Sequence, residues 1–261
     1  MKRRGVLTSM IGAVAGLVGG RAVARSLQSD AAPAAALPDF PYLRVTVPGA
    51  EALATWERLR GEGTGWPVIV GNDQDFAQLA DGYEANTDEK PAAILAAADK
   101  VRLPAALEKA FADEYGADAA QPDLGAWPVP GKAEQPGLTA ASDILTGKFY
   151  ERVHIVLLPI QDGSEGPAYL KWGGWNACPG PEVHVALLRQ WKQRYGAELV
   201  GLSGDVLNLR VAKRPATRDE ALAVAREQYL YCSDIVDQGV GALRPLAASL
   251  MDSNWWYFWW D

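Results

Sequence analysis

Six aromatic residues stand in a row at Trp255-Trp256-Tyr257-Phe258-Trp259-Trp260, and no other feature restricts the fold of this chain as tightly. Such a run fits a β-strand better than a turn or a linker. Strand geometry sends successive side chains to opposite faces. Trp255, Tyr257 and Trp259 therefore share one face, and Trp256, Phe258 and Trp260 share the other. Each ring buries about 150–250 Å² when enclosed. The simplest home for a strand aromatic on both faces is the interior, sandwiched between layers. The alternative leaves one face as an exposed shelf for a sugar, a peptide or a partner protein.

The residues leading to this strand alternate between strand and helix signals. Val153 to Ile160 is an apolar run of strand length. Pro181 to Tyr195 reads as a helix, with Pro181 in its first turn, Gly196 to end it, and Val183, Leu187, Trp191 and Tyr195 along one stripe. Ala197–Leu202 and Val206–Val211 flank Ser203-Gly204-Asp205, a hairpin turn signal. Thr217 with Glu220 three residues on starts a helix that runs to about Tyr231, and another spans Leu243 to Met251. The order β-α-β-β-α-α-β approximates a split β-α-β layout, with helices on one face of a sheet. The fold class is α+β, with a mixed or antiparallel sheet built from both halves of the chain or divided into two adjacent small sheets.

The first half carries Tyr42–Val47, Gly49–Arg60 and Trp66–Val70 as a β-α-β unit, then Ala-rich helical sequence over 91–113 interrupted by Pro104. A Pro/Gly-dense stretch with Pro122, Pro128, Pro130 and Pro136 follows. The expected organisation is a leader at 1–24, a linker at 25–38, an N-terminal α/β subdomain at 39–116, a connection at 117–149, and a C-terminal domain at 150–261.

The leader is read from Lys2-Arg3-Arg4, the apolar stretch Ser9–Gly20, and the small residues Ala22-Val23-Ala24. Arg3-Arg4 followed by Gly5-Val6-Leu7 is similar to a twin-arginine export signal. Four glycines in the apolar stretch make it a poor membrane span, and none is expected in the mature chain. An uncleaved N-terminal anchor is the alternative. Export to the extracellular, periplasmic or cell-wall space is the expected localisation. The formal net charge of −7, which becomes more negative without the leader's basic residues, argues against nucleic acid as a partner.

Cys178 and Cys232 are the only cysteines. They could pair as one disulfide across a long loop, or sit as two buried thiols. Cys178, His184, Cys232 and Asp234 together invite a zinc or reactive-thiol reading, but no Cys-x-x-Cys or His-x-x-x-His element supports it. Asp234 and Asp237 are paired loop carboxylates able to divide acid and base roles, or to cap the helix at Leu243. Trp172 and Trp175 flank Gly173-Gly174, where backbone can approach a ligand closely. Asn176 and Gln238 would add polar contacts.

Several rare strings then match a known pattern in order: Ala168-Tyr169-Leu170-Lys171-Trp172-Gly173-Gly174-Trp175-Asn176-Ala177-Cys178-Pro179, Tyr195-Gly196-Ala197-Glu198, Arg226-Glu227-Gln228-Tyr229, Tyr231-Cys232-Ser233-Asp234-Ile235-Val236-Asp237-Gln238-Gly239 and Trp256–Asp261. Over roughly residues 150–261 the chain resembles a bacterial family called domain of unknown function 4253. The resemblance implies a domain there and no particular activity. With dense aromatics and no recognisable catalytic set or cofactor motif, the expectation is a non-catalytic binding or protein-interaction module. Its ligand contacts would be Trp172, Trp175, Asn176, Asp234, Asp237 and Gln238, and its partner an unidentified protein or small molecule. The rival is a hydrolase-type enzyme or metal site built on Cys178, His184, Cys232 and Asp234.

Overall fold

The structure is a computed structural model that describes residues 37–86, 88–116, 122–129, 131 and 137–261. The leader at 1–24 and most of the 25–38 linker lie outside the described residues. The strands are β1 (Leu43–Val47), β2 (Trp66–Gly71), β3 (Val153–Leu158), β4 (Glu198–Leu202), β5 (Val206–Arg210) and β6 (Trp255–Trp259). They form one mixed sheet in the order β1-β3-β2-β4-β5-β6. Only β2 and β4 pair in parallel. The helices are α1 (Gly49–Glu62), α2 (Asp73–Ala85), α3 (Pro91–Ala98), α4 (Ala105–Tyr115), α5 (Gly166–Leu170), α6 (Pro181–Tyr195), α7 (Arg218–Tyr231) and α8 (Leu243–Asp252).

The α+β class holds, and the sheet is built from both halves. Its topology corrects the expected split β-α-β layout of the second half. Strand β3 enters between β1 and β2, and β2 in turn separates β3 from β4. The central strand of a sheet needs apolar side chains on both faces, and every residue of β2 is buried. Leu37–Asp261 accordingly form one compact unit.

Helices cover both faces rather than one. Arg210 and Asn208 point to the side where α1 lies, since Arg210 pairs with Glu57 and its guanidinium sits 4.9 Å from the Trp56 ring. Residues 139–141 lie on this side too, held by the Asn208 carboxamide oxygen, which accepts from Ala140 N at 3.0 Å and Thr139 Oγ1 at 3.1 Å. Leu207 and Leu209 face the other way, in register with Phe258 and Trp256. That side holds α6 and α7, whose Trp191, Tyr195 and Tyr231 pack against the β6 rings.

Local signals set the helix ends. Gly196 takes the left-handed conformation after α6, and Thr217 Oγ1 accepts from Glu220 N at the start of α7. The Glu220 carboxylate accepts from Ala216 N and closes the start of that helix. Asp237 does not cap α8, whose first flanking residue is Ala242 with no side-chain cap. It sits instead in a π-helical turn, Ile235–Val240, that joins α7 to α8.

Candidate functional site

Strand β6 ends the sheet, and its outer edge pairs with no strand among the described residues. Val211 N donates to Asn254 O, and Trp260 N donates to Asp205 O. An antiparallel ladder alternates, so Trp256 and Phe258 bond inward to β5 while the backbones of Trp255, Tyr257 and Trp259 point away from the sheet. Trp255 N donates to Ser253 Oγ, and the Trp259 carbonyl accepts from the Cys232 thiol at 2.9 Å. The Trp255 carbonyl, both backbone groups of Tyr257 and the Trp259 amide remain as an open edge among the described residues.

A cavity of about 560 Å³ lies along this edge, walled by Trp255, Tyr257 and Trp259 and by residues of α7, the π-helical turn and α8. The alternation expected from sequence is present. Trp256, Phe258 and Trp260 are buried, and the three odd-numbered rings are half-buried. The strand is therefore not enclosed on both sides. Gln228, a lining residue, has a buried Nε2 with no partner among the described residues, and so has the Nε1 of the inward Trp256 ring. Such groups are costly unless something satisfies them. The mouth is apolar: Ile144, Leu145 and Val240 are exposed, Leu145 at 92%. Asp143 holds Leu145 in place, its Oδ1 accepting from Leu145 N, Thr146 N and Thr146 Oγ1. These bonds, that from Thr146 N first, keep the Asp143 carboxyl below its ordinary value.

The expected ligand residues divide between this cavity and another region. Gln238 lines the cavity, where its Nε2 donates to Asp234 Oδ1 at 2.9 Å. Asp234 Oδ2 accepts from Asp261 N, and Asn176 Nδ2 donates to Asp261 O. Asp234 and Asn176 thus clasp the last residue from two sides. Asp237 accepts from Tyr229 OH at 3.2 Å, and burial pushes its carboxyl up. Trp172 and Trp175 line a separate cavity of about 220 Å³ with Lys171 and Tyr83. Between them Gly173 has φ 119°, and a Cβ there would stand 2.3 Å from Pro179 O and 2.7 Å from His184 Nε2.

Cys178 and Cys232 are free and buried rather than joined. The Cys178 sulfur lies 3.4 Å from His184 Nε2, and His184 Nδ1 lies 2.6 Å from Tyr231 OH. All three groups are desolvated. Burial pushes His184 down to about 3, raises the Cys178 thiol and the Tyr231 phenol, and pushes Cys232 up to about 12. A reactive cysteine needs a thiolate favoured by its surroundings. Here the environment holds thiol, imidazole and phenol neutral, so the pair forms a hydrogen-bonded core network. Cys178, His184, Cys232 and Asp234 do not form a metal set either: no group of three or more His, Cys, Asp or Glu among the described residues is arranged to hold an ion.

Sequence reasoning missed three groups. Gln228 appeared only as part of a family-like string, and nothing local to it signals a buried donor without a partner. Lys171 likewise stands only within such a string, and nothing local to it signals burial. His154 joins three elements, with Nδ1 2.9 Å from Thr46 Oγ1 on β1 and Nε2 2.7 Å from Asp73 Oδ1 on α2. Desolvation outweighs the Asp73 carboxylate and lowers this histidine. In this contact Nε2–H donates to the Asp73 carboxylate.

No curated protein and no solved structure matches the chain. Residues 154–261, running from β3 through β6, match the model of a family described as Domain of unknown function (DUF4253).

Proposed function

We propose that the protein is a non-catalytic binding module that captures an extended, mainly apolar polypeptide segment along the open edge of β6. The observation that carries this reading is the outward-pointing backbone of Tyr257 beside an aromatic-walled cavity of about 560 Å³. Open apolar edges are normally blunted by charge, proline or a covering element, because they pair with other chains. Along Trp255–Trp259 this edge carries no charge and no proline, and no strand among the described residues covers it. A docked strand would gain main-chain hydrogen bonds at Tyr257, while alternate side chains would enter the cavity. Gln228 favours an incoming group that bears an acceptor.

Nothing favours the enzymatic rival, whose thiol and imidazole are held neutral in the core. The proposal also places the protein outside the cytoplasm, on the strength of the leader-like residues 1–24. No helix among the described residues is long and apolar enough to cross a membrane. Intact mass of protein purified from its native host tests this part, with loss of the leader expected and a full-length soluble chain contradicting it.

Selection of a random peptide library on the purified protein tests the binding reading. Enriched sequences should be apolar and extended, and their binding should fall at least about tenfold for Tyr257→Pro. Proline there removes an outward amide and leaves the inner ladder intact. No enrichment, or peptides indifferent to Tyr257→Pro, would refute the proposal.

A further inference from the structure

The second cavity, about 220 Å³, is lined by a cation, Lys171, that has no ion-pair partner among the described residues. Lys171 is only 6% exposed. Among the described residues it forms no ion pair and no side-chain hydrogen bond. Its Nζ lies 4.1 Å from the centroid of the Tyr83 ring. The side chain is largely covered, and a single cation–π contact contributes only modestly, so the ammonium can still meet an anion at the cavity. The backbone is also in an unusual state, for Lys171 is a non-glycine residue at φ 51°. That left-handed turn follows α5 and is fixed by Trp172 N donating to Pro167 O at 3.0 Å. Strain of this kind persists where the surrounding structure imposes it, and here it directs a cation into a cavity.

The walls indicate which anion fits. Trp172 and Trp175 stand edge to face with centroids 5.0 Å apart, and both line the space. Trp172 Nε1 is already committed to Ser203 O, so this ring offers an apolar surface. Asn86 Nδ2 donates to Gly82 O. Gln78 makes no side-chain hydrogen bond among the described residues and supplies a free amide beside the lysine. Its end lies over Gly204, where a Cβ would come within 2.4 Å of the Gln78 side chain and displace it. At about 30 Å³ of liquid per water, the cavity has room for roughly seven waters. That suits one ring with a small substituent.

We infer that this cavity binds a small, flat monocarboxylate, such as a single-ring aromatic acid. The carboxylate meets Lys171 Nζ and the Gln78 amide, and the ring lies against Trp175 and Trp172. One cation and two indoles favour a monoanion with an apolar body over a phosphate, which recruits several donors. The site is separate from the β6 edge, and either reading can fail without the other.

Calorimetric titration of the full chain with sodium benzoate, benzamide and inorganic phosphate decides the matter. Benzoate should bind saturably, benzamide at least about tenfold more weakly, and phosphate should not compete. Lys171→Met should remove the preference for benzoate over benzamide, whereas Tyr257→Pro should leave it unchanged. Should Lys171→Met fail to fold, Gln78→Leu on the exposed side of α2 takes its place, and a several-fold loss of benzoate affinity is required. The inference is overturned by absence of saturable benzoate binding, by equal binding of benzamide, by phosphate competition, or by Lys171→Met binding benzoate as the parent does.

Discussion

On β6, Trp256, Phe258 and Trp260 are at most 2% exposed, whereas Trp255, Tyr257 and Trp259 are only half-buried. The two sets have nearly the same composition and lie on the same five- to six-residue stretch. What separates them is the layer across from each. The even-numbered rings meet α6 and α7, where Trp191 stacks on Phe258 with centroids 5.4 Å apart and stands edge-on to Trp256 at 5.3 Å. The odd-numbered rings meet a cavity whose mouth is a short loop and the π-helical turn. Aromatic content alone therefore assigns no role. An inward ring contributes packing; an outward ring on an open edge is available to a partner.

Phe258→Ala should break the inward set most severely. Removing a fully buried phenyl group leaves a cavity and costs about 3–5 kcal/mol, read as a lower urea midpoint at unchanged slope. A loss below about 1 kcal/mol would mean the inward face is no core at all.

The network behind that face gives a pH-dependent effect. The unfolded chain protonates His184 near its ordinary 6.5, but in the folded protein burial delays this to about 3. Its stabilising contribution is therefore complete above pH 6.5 and is lost on acidification between 6.5 and about 3. The steepest loss is about 1.4 kcal/mol per pH unit. Urea midpoints measured from pH 7 to pH 4.5 should fall less steeply in His184→Gln. His154, also lowered by burial, adds in the same direction and remains in that variant. Identical slopes in parent and variant would show that His184 is not sealed from water.

Tyr231→Phe should cost about 1–3 kcal/mol, since it leaves the His184 Nδ1 partner unpaired in a buried site. At the other extreme, Leu145→Ser at the cavity mouth should change stability by no more than about 0.5 kcal/mol. The same substitution should weaken capture of the selected peptides. A large stability loss there would make the mouth structural and erase the contrast between the faces.

Much of this architecture was legible in the chain because its signals are local. The two-residue period of Trp255–Trp260 gave the correct division of faces. Pro181, Gly196 and Thr217 marked helix ends because capping depends on neighbours a few residues away. The candidate site was legible only in fragments. Gln238 and the odd-numbered rings meet at one cavity and Trp172 and Trp175 at another, while Asn176 and Asp234 hold the last residue in place. Spacing along a chain does not report which surfaces converge, and burial of a polar group such as Gln228 or Lys171 depends on elements far away in sequence.

By itself the sequence determined the six strands, the longer helices of the second half and the alternation of the final aromatic run, each a consequence of backbone periodicity and side-chain size, while the short α5 went unsignalled. Only the tertiary structure decided that β2 lies between β3 and β4, that the two thiols stay apart and neutral beside His184, and that β6 ends the sheet, its outer edge paired with no strand among the described residues. Strand neighbours and desolvation arise from contacts between distant segments, and pairing such segments depends on how the whole sheet and its covering helices close together.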